Sequence, residues 1–289
     1  MTKSLLAKIE EIYPTLSKSH KKIADFILDD YAVAAFITAA KLGETVGISE
    51  STVVRFATEL GFSGYPQLQK SLQELIRNKL TSVQRMEVTN VRISEDDVLR
   101  QVLTSDMDMI RETLDSISTD TFKKCTDAIN NAKRIYILGL RSSASLASFL
   151  AFYFNLVFDD VILLDTSSPS EMFEQIFRID ENDVCIAISF PRYSKQIVNA
   201  LKFISDRKAT IISITDSDRS PIAAFATHVL TAKSDIASFV DSLVAPLSLI
   251  NALIVAVSLG RKETVYRNFN MLENIWDEYR VYEKVENNE

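Results

Sequence analysis

Cysteine and histidine are scarce: the 289-residue chain holds two of each, Cys125, Cys185, His20 and His228. The cysteines lie far apart with no metal-ligand spacing, and two histidines do not complete a zinc set. Neither a structural metal, a metal-dependent site nor a disulfide framework is expected, and no cofactor motif is present. Long apolar runs are also few. Met1 to Leu6 shows no extended apolar core after Lys3, so no secretory signal is read there. The one long apolar stretch, Leu243–Leu259, is interrupted by Pro246, Ser248, Asn251 and Ser258 and flanked by Asp241 and Arg261. A spanning helix needs about 20 apolar residues. The stretch is therefore read as a buried core or dimer-interface helix, with no membrane partner and a cytoplasmic location. Basic excess is missing too. The formal charge is −7, and the lysines and arginines of residues 1–78 are matched one for one by acids. Charge alone does not nominate a nucleic-acid binder.

What is present is pattern. Residues 1–80 read as helices without strands. Ser17 is placed to cap a helix over Lys18–Leu28 whose apolar face carries Ile23, Phe26 and Ile27. Thr38 to Phe56 then reads as helix, tight turn, helix. Gly47 marks the turn, because glycine takes the left-handed conformation at a helix end without a Cβ penalty. Ser49 caps the second helix and Gly61 ends it. Leu42, Val46, Ile48, Val53 and Phe56 have the spacing that fills the wedge between two short crossing helices. Outside the wedge lie Ser49, Glu50, Ser51, Thr52, Val54 and Arg55, with Lys41 on the first helix. Hydroxyls and free N–H groups at a helix start suit phosphate, and Arg55 has the reach for a guanine edge or a phosphate. On spacing alone, a plain three-helix packing unit with a solvated face remains an alternative.

The run Leu42-Gly43-Glu44-Thr45-Val46-Gly47-Ile48-Ser49-Glu50-Ser51-Thr52-Val53-Val54-Arg55-Phe56 resembles the DNA-binding segment of the RpiR family of regulators. Glu59-Leu60-Gly61-Phe62-Ser63-Gly64-Tyr65 continues the likeness. Gly43 stands where such motifs more often carry alanine. The resemblance implies double-stranded operator DNA as a partner and Lys41, Ser49, Glu50, Ser51, Thr52, Val54 and Arg55 as the contact set.

Leu80–Ile93 has weak periodicity and reads as a connection; Asp96–Ser116 and Asp120–Asn131 read as helices. The expected fold class is an all-α helix-turn-helix domain followed by an α/β domain with a parallel sheet flanked by helices. The expected boundaries are 1–78 for the DNA-binding domain and 79–127 for the linker and connecting helices. The α/β domain is expected over 128–268, with a tail at 269–289.

The α/β reading rests on the short apolar runs Ile135–Leu138, Val161–Leu164, Val184–Ser189, Thr210–Ile214 and, more weakly, His228–Leu230. Continuous apolar runs alternating with helical stretches indicate a parallel sheet covered on both faces, with ligands beyond its carboxyl edge. The loops after three of these runs are polar and rich in serine. Gly139-Leu140-Arg141-Ser142-Ser143 opens one helix, and Ser189-Phe190-Pro191-Arg192-Tyr193-Ser194 precedes another. Thr215-Asp216-Ser217-Asp218-Arg219-Ser220 leads to Pro221, which is read as a first helical residue. Serine hydroxyls at helix starts and an arginine suit a dianionic phosphate.

Residues about 128–260 resemble a SIS (sugar isomerase) domain, which RpiR regulators carry after their DNA-binding part. The resemblance implies a phosphorylated sugar as effector, with Ser142, Ser143, Ser189, Arg192, Tyr193 and Ser194 as its contacts. Two departures stand out. Arg141 occupies a usual glycine position, and Phe190-Pro191-Arg192-Tyr193 replaces the usual His/Ser-Ser-Gly-x segment. SIS domains also serve isomerases, which need a tuned base. Glu171, Glu174 and His228 are the available groups, and no constellation among them demands catalysis. The sequence reads as a homo-oligomeric regulator, dimer or tetramer, and not as an enzyme. A sugar-phosphate isomerase and a ligand-binding adaptor without DNA affinity are the alternatives.

Overall fold

The computed structural model describes residues 5–76, 81, 83–86, 93, 95–166, 168–235 and 240–283. They form two compact units: Met1–Ser105 with Asp235–Ser242, and Asp106–Ser234 with Leu243–Glu289. Most of the connection read at Leu80–Ile93 lies outside the described residues.

The first unit is helical: α1 (Leu5–Ile12), α2 (Lys18–Asp29), α3 (Tyr31–Ala34), α4 (Ala39–Val46), α5 (Glu50–Glu59) and α6 (Tyr65–Ile76). Ser17 caps α2 by accepting the His20 N–H at 3.2 Å, and Thr38 caps α4 by accepting that of Lys41 at 3.1 Å. Gly47 sits at φ 70°, ψ 46°. Its N–H donates to Glu44 O at 3.3 Å and the Ile48 N–H to Gly43 O at 2.8 Å. This paired stop ends a helix with a left-handed residue and turns the chain straight into α5. Leu42, Val53 and Phe56 are fully buried with Ile23 and Ile27 of α2 and Leu68 and Leu72 of α6. Val46 and Ile48 pack at the edge of that cluster. The packing surfaces are pinned by polar groups the periodicity does not reveal. Tyr65 Oη donates to the carbonyls of Ala34 and Ile37, and Gln69 and Gln73 donate to those of Ile37 and Ala35. Burial pushes the Tyr65 phenol well above its ordinary range. His20 Nδ1 and Glu59 Oε2 meet at 2.5 Å, tying α2 to the end of α5.

The second unit begins within α7 (Val98–Ser116), followed by α8 (Thr119–Asn131), and then alternates. The order is β1 (Ile135–Gly139), α9 (Ser142–Phe154), β2 (Val161–Leu164), α10 (Pro169–Ile176), β3 (Val184–Ile188), α11 (Lys195–Asp206), β4 (Thr210–Thr215), β5 (His228–Thr231), α12 (Val244–Gly260) and α13 (Lys262–Glu278). All strand pairings are parallel, in the order β2-β1-β3-β4-β5. Alternate strand residues feed two cores, as the two-residue period requires. Ile135, Ile137, Ile186 and Ile212 face α8, α9 and α12 on one side. Tyr136, Leu138, Cys185 and Ile211 face α10 and α11 on the other. Both cysteines are buried thiols, with burial pushing each up to about 12. A Cβ on Gly139 would lie 2.5 Å from Ser143 O and 2.8 Å from Ala147 Cβ, so α9 rests directly on the end of β1.

The apolar Leu243–Leu259 run forms α12, whose inner face of Leu249, Ile250, Leu253 and Val257 belongs to the core. Among the described residues no single helix is long and apolar enough to cross a membrane. Pro221 does not open a helix, contrary to the sequence reading: only a 3₁₀ turn, Ala223–Phe225, forms before β5.

At the amino edge of the sheet, Arg134 grips the fully buried Asp183 side chain, Nε to Oδ1 at 2.9 Å and Nη2 to Oδ2 at 2.6 Å. The same Nη2 donates to Arg178 O at 2.8 Å. Lysine keeps the charge but not the fork. Arg134→Lys should therefore cost about 1–2 kcal/mol in a urea melt, the loss of one or two hydrogen bonds.

Candidate functional site

The start of α5 is held outward by its own packing. Val53, Phe56 and Ala57 fix one face in the core, which leaves Ser49, Glu50, Ser51, Val54 and Arg55 exposed and Thr52 half-buried. Ser49 has the extended backbone of a cap residue, φ −74°, ψ 147°, yet its hydroxyl does not cap. It meets Ser51 Oγ at 3.0 Å and Thr52 Oγ1 at 2.9 Å instead. The capping role expected from sequence is thus a backbone role only, and three hydroxyls cluster over a helix start whose first N–H groups lack intrahelical partners. Arg55 folds back over the same turn, Nε to Ser51 O at 3.3 Å and Nη2 to Thr52 Oγ1 at 3.2 Å. Lys41 is exposed on α4 and pairs with Glu44 at 2.9 Å. The result is one solvated face of short polar side chains with a guanidinium folded back at its edge. Such a face fits a groove lined by phosphates and base edges.

The second candidate follows from the sheet order. The chain passes from β1 to β2 on one side and returns to β3 on the other, so the loops leaving β1 and β3 part above the sheet. Open α/β sheets bind ligands in the crevice at such a reversal. Ser142 and Ser143 open α9 beside it, and Ser189 to Ser194 lead from β3 into α11. Ser143 and Ser189 are each only 3% exposed. Among the described residues no partner is found for the hydroxyls of Ser142, Ser143, Ser189 or Ser194, and Ser194 sits at the α11 cap position without a side-chain cap bond. Two helix starts and four uncommitted hydroxyls at one edge favour an anion.

Arg192 is exposed at φ 69°. Tyr193, expected to contact a ligand, donates its hydroxyl to Asp216 Oδ1 at 2.6 Å, and Thr215 Oγ1 reaches the same oxygen at 3.3 Å. This contact ties the β3 loop to the β4 loop. On the β2 side, Thr166 Oγ1 bonds the Glu171 carboxylate and accepts the Ser168 N–H at 3.0 Å. Gln196 Nε2 of α11 reaches Thr166 O at 3.5 Å. Thr166, Gln196 and Asp216 were missed in sequence. Their only local signal is position, just after a strand or just inside a helix. Of the bases considered for isomerase chemistry, Glu171 is engaged with Thr166 at the carboxyl edge. His228 begins β5 and so lies at the opposite edge. Glu174 is exposed on α10.

Comparison with known proteins extends this geometry. Residues 3–79 match the helix-turn-helix domain of the rpiR family, and residues 128–256 match the SIS domain. The HTH-type transcriptional regulator HexR of Escherichia coli K12 is 26% identical over 290 residues, covering 96% of each chain. Among solved structures, the sugar isomerase domain of an RpiR transcription factor from Sphaerobacter thermophilus superposes with a TM-score of 0.59 at 24% identity. It covers 62% of this chain and 99% of that one. The Vibrio vulnificus NanR protein complexed with ManNAc-6P gives 0.55 at 20% identity, covering 94% of this chain and 98% of that one. At these identities the two solved structures speak for the shared fold.

Proposed function

The chain belongs to the rpiR family of helix-turn-helix transcription regulators in its SIS-bearing form, and on that premise we propose how its two sites divide the work. The start of α5 reads operator DNA through Ser49, Glu50, Ser51, Thr52, Val54 and Arg55, with Lys41 alongside. The crevice between the β1 and β3 loops holds a phosphorylated sugar through Ser142, Ser143, Ser189, Arg192 and Ser194. Tyr193, its hydroxyl donating to Asp216, lines the same crevice as a further contact. The observation that carries the reading is the pair of buried serines, Ser143 and Ser189, whose hydroxyls have no hydrogen-bond partner among the described residues, at the switch point of the sheet. In this reading residues 1–78 are the DNA reader, 79–127 the connection, 128–268 the effector domain and 269–289 the tail. The effector changes operator affinity only as far as it binds one arrangement of the protein more tightly than another.

One helix-turn-helix reads few base pairs, and two linked copies raise both affinity and specificity. We therefore assign the working form to a homo-oligomer in the cytoplasm, dimer or tetramer. Apolar residues left outside favour this: Val255 and Leu259 on α12, and the stripe Leu99, Leu103, Met107, Ile110 and Leu114 along α7. Curated relatives such as HexR are regulators rather than enzymes, and the candidate bases form no acid–base pair.

The DNA half is tested by Arg55→Ala in a gel-shift titration against the operator. Operator binding should weaken by about 1–3 kcal/mol, with thermal stabilisation by a sugar phosphate unchanged. Unaltered operator affinity would remove Arg55 from the interface.

A further inference from the structure

Four non-glycine residues among those described have a left-handed φ: Arg141 (57°), Arg192 (69°), Lys208 (63°) and Arg280 (50°). Lys208 and Arg280 follow the ends of α11 and α13, where a left-handed residue is an ordinary helix stop. Arg141 and Arg192 end no helix. They lie one on each of the two loops that part at the switch point of the sheet.

Arg141 is the sharper case. Its backbone sits at φ 57°, ψ −126°, and the Ser143 N–H donates to Leu140 O at 3.2 Å. Leu140–Ser143 is therefore a type II′ turn with Arg141 in its second position, a place where any Cβ is strained and glycine is the natural occupant. The side chain returns nothing to the fold. It is exposed, and among the described residues its guanidinium has no hydrogen bond, ion pair or ring contact. Strain kept without a compensating contact points to function, not folding.

We infer that Arg141 is a phosphate-gripping residue of the effector crevice, closing from the β1 loop over a dianionic phosphate monoester whose oxygens meet Ser143 and the start of α9. This rests on the crevice being the effector site. The chemistry is specific: a planar guanidinium forks onto two phosphate oxygens, and the helix start behind it supplies N–H donors on the opposite side. The type II′ turn is what brings both onto one group. It reverses the chain within two residues of β1 and leads directly into the first turn of α9. Arg192, also at positive φ, lies on the β3 loop across the switch point. The ligand class follows: a terminal phosphate is required, and the sugar portion extends away from these loops.

The test uses the full-length chain, with inorganic phosphate and glucose 6-phosphate as probes in calorimetric titration and thermal melts. Arg141→Gly should melt no lower than wild type, because relief of the turn offsets the looser unfolded chain. It should bind both probes roughly tenfold or more weaker. Arg141→Lys keeps the charge without the fork and should fall between. If Arg141→Gly binds phosphate like wild type, the inference is overturned while the crevice reading stands. Melting well below wild type would assign the side chain to folding and overturn it too. Wild type that binds neither probe, with Ser143→Ala indistinguishable from it, would overturn the crevice and this inference together.

Discussion

Gly43→Val should yield a protein that fails to shift operator DNA in a gel while still gaining thermal stability from a sugar phosphate. A Cβ built on Gly43 lies 2.7 Å from Ile48 O, 3.3 Å from Glu50 N and 3.4 Å from Ser49 C. All three are backbone atoms of the turn and of the first residue of α5, so no flexible side-chain end can move aside. Valine adds two further carbons on the same bond. Overpacking a tight site costs about 1–3 kcal/mol and occasionally more, and collision with fixed backbone belongs at the top of that range. The strain falls on the helix that carries Ser49 to Arg55. Gly47→Ala is the matched control. Nothing lies within 4 Å of a Cβ there, and only the left-handed φ of +70° opposes a side chain. Its cost should be about 1–2 kcal/mol, with the geometry of α5 retained. Equal loss of operator binding in the two variants would show that the close approach at Gly43 does not set the α5 position. The glycine that departs from the family's usual alanine is thus explained: here the two helices approach closely enough that a methyl group does not fit.

The parts legible in sequence were those set by near neighbours along the chain. Leu42, Val53 and Phe56 could be assigned to a wedge because helical spacing fixes which side chains share a face, and all three are fully buried. The strands were legible for the same reason. Val161–Leu164 is matched residue for residue, and the weak run at His228 is a real strand ending at Thr231. What stayed hidden depends on partners distant in the chain or on competition among local bonds. Tyr193 and Asp216 are 23 residues apart, and Arg134 and Asp183 are 49 apart. Periodicity carries no information about either pair. Ser49 was misread in detail because a cap hydroxyl has a choice: the neighbouring hydroxyls of Ser51 and Thr52 outcompete the backbone N–H. Pro221 was misread because proline suits turns as well as first helical turns, and the residues after it provide no apolar face. The serines of the crevice were legible as a set only through the rule that loops at one edge of a parallel sheet converge. The reversal between β1 and β3, which singles out two of those loops, needed the strand order.

Combining Ser143→Ala with Arg192→Ala should abolish the effector response and leave operator binding by the free protein as it was. The Ser143 hydroxyl has no partner among the described residues although the residue is buried, so alanine removes nothing that holds α9 on β1. Arg192 is exposed, and alanine keeps the same Cβ at the same φ of 69°. The backbone course of both loops should be kept. The bound state is another matter. Each hydrogen bond to a charged group contributes about 1.5–3 kcal/mol, so losing two lowers phosphate affinity by roughly 10²–10⁴-fold. Operator release or capture in a gel-shift titration with glucose 6-phosphate should then move beyond any working concentration. Reciprocity sharpens the reading: an effector can shift DNA affinity only by its own difference in affinity for the two arrangements. A double variant that still responds normally would place the effector elsewhere. One whose operator affinity changes before any effector is added would show that these side chains also weight the balance between arrangements. The Ser143→Ala single variant then separates the two roles, because its hydroxyl has no hydrogen-bond partner among the described residues through which to weight that balance and should affect ligand affinity alone.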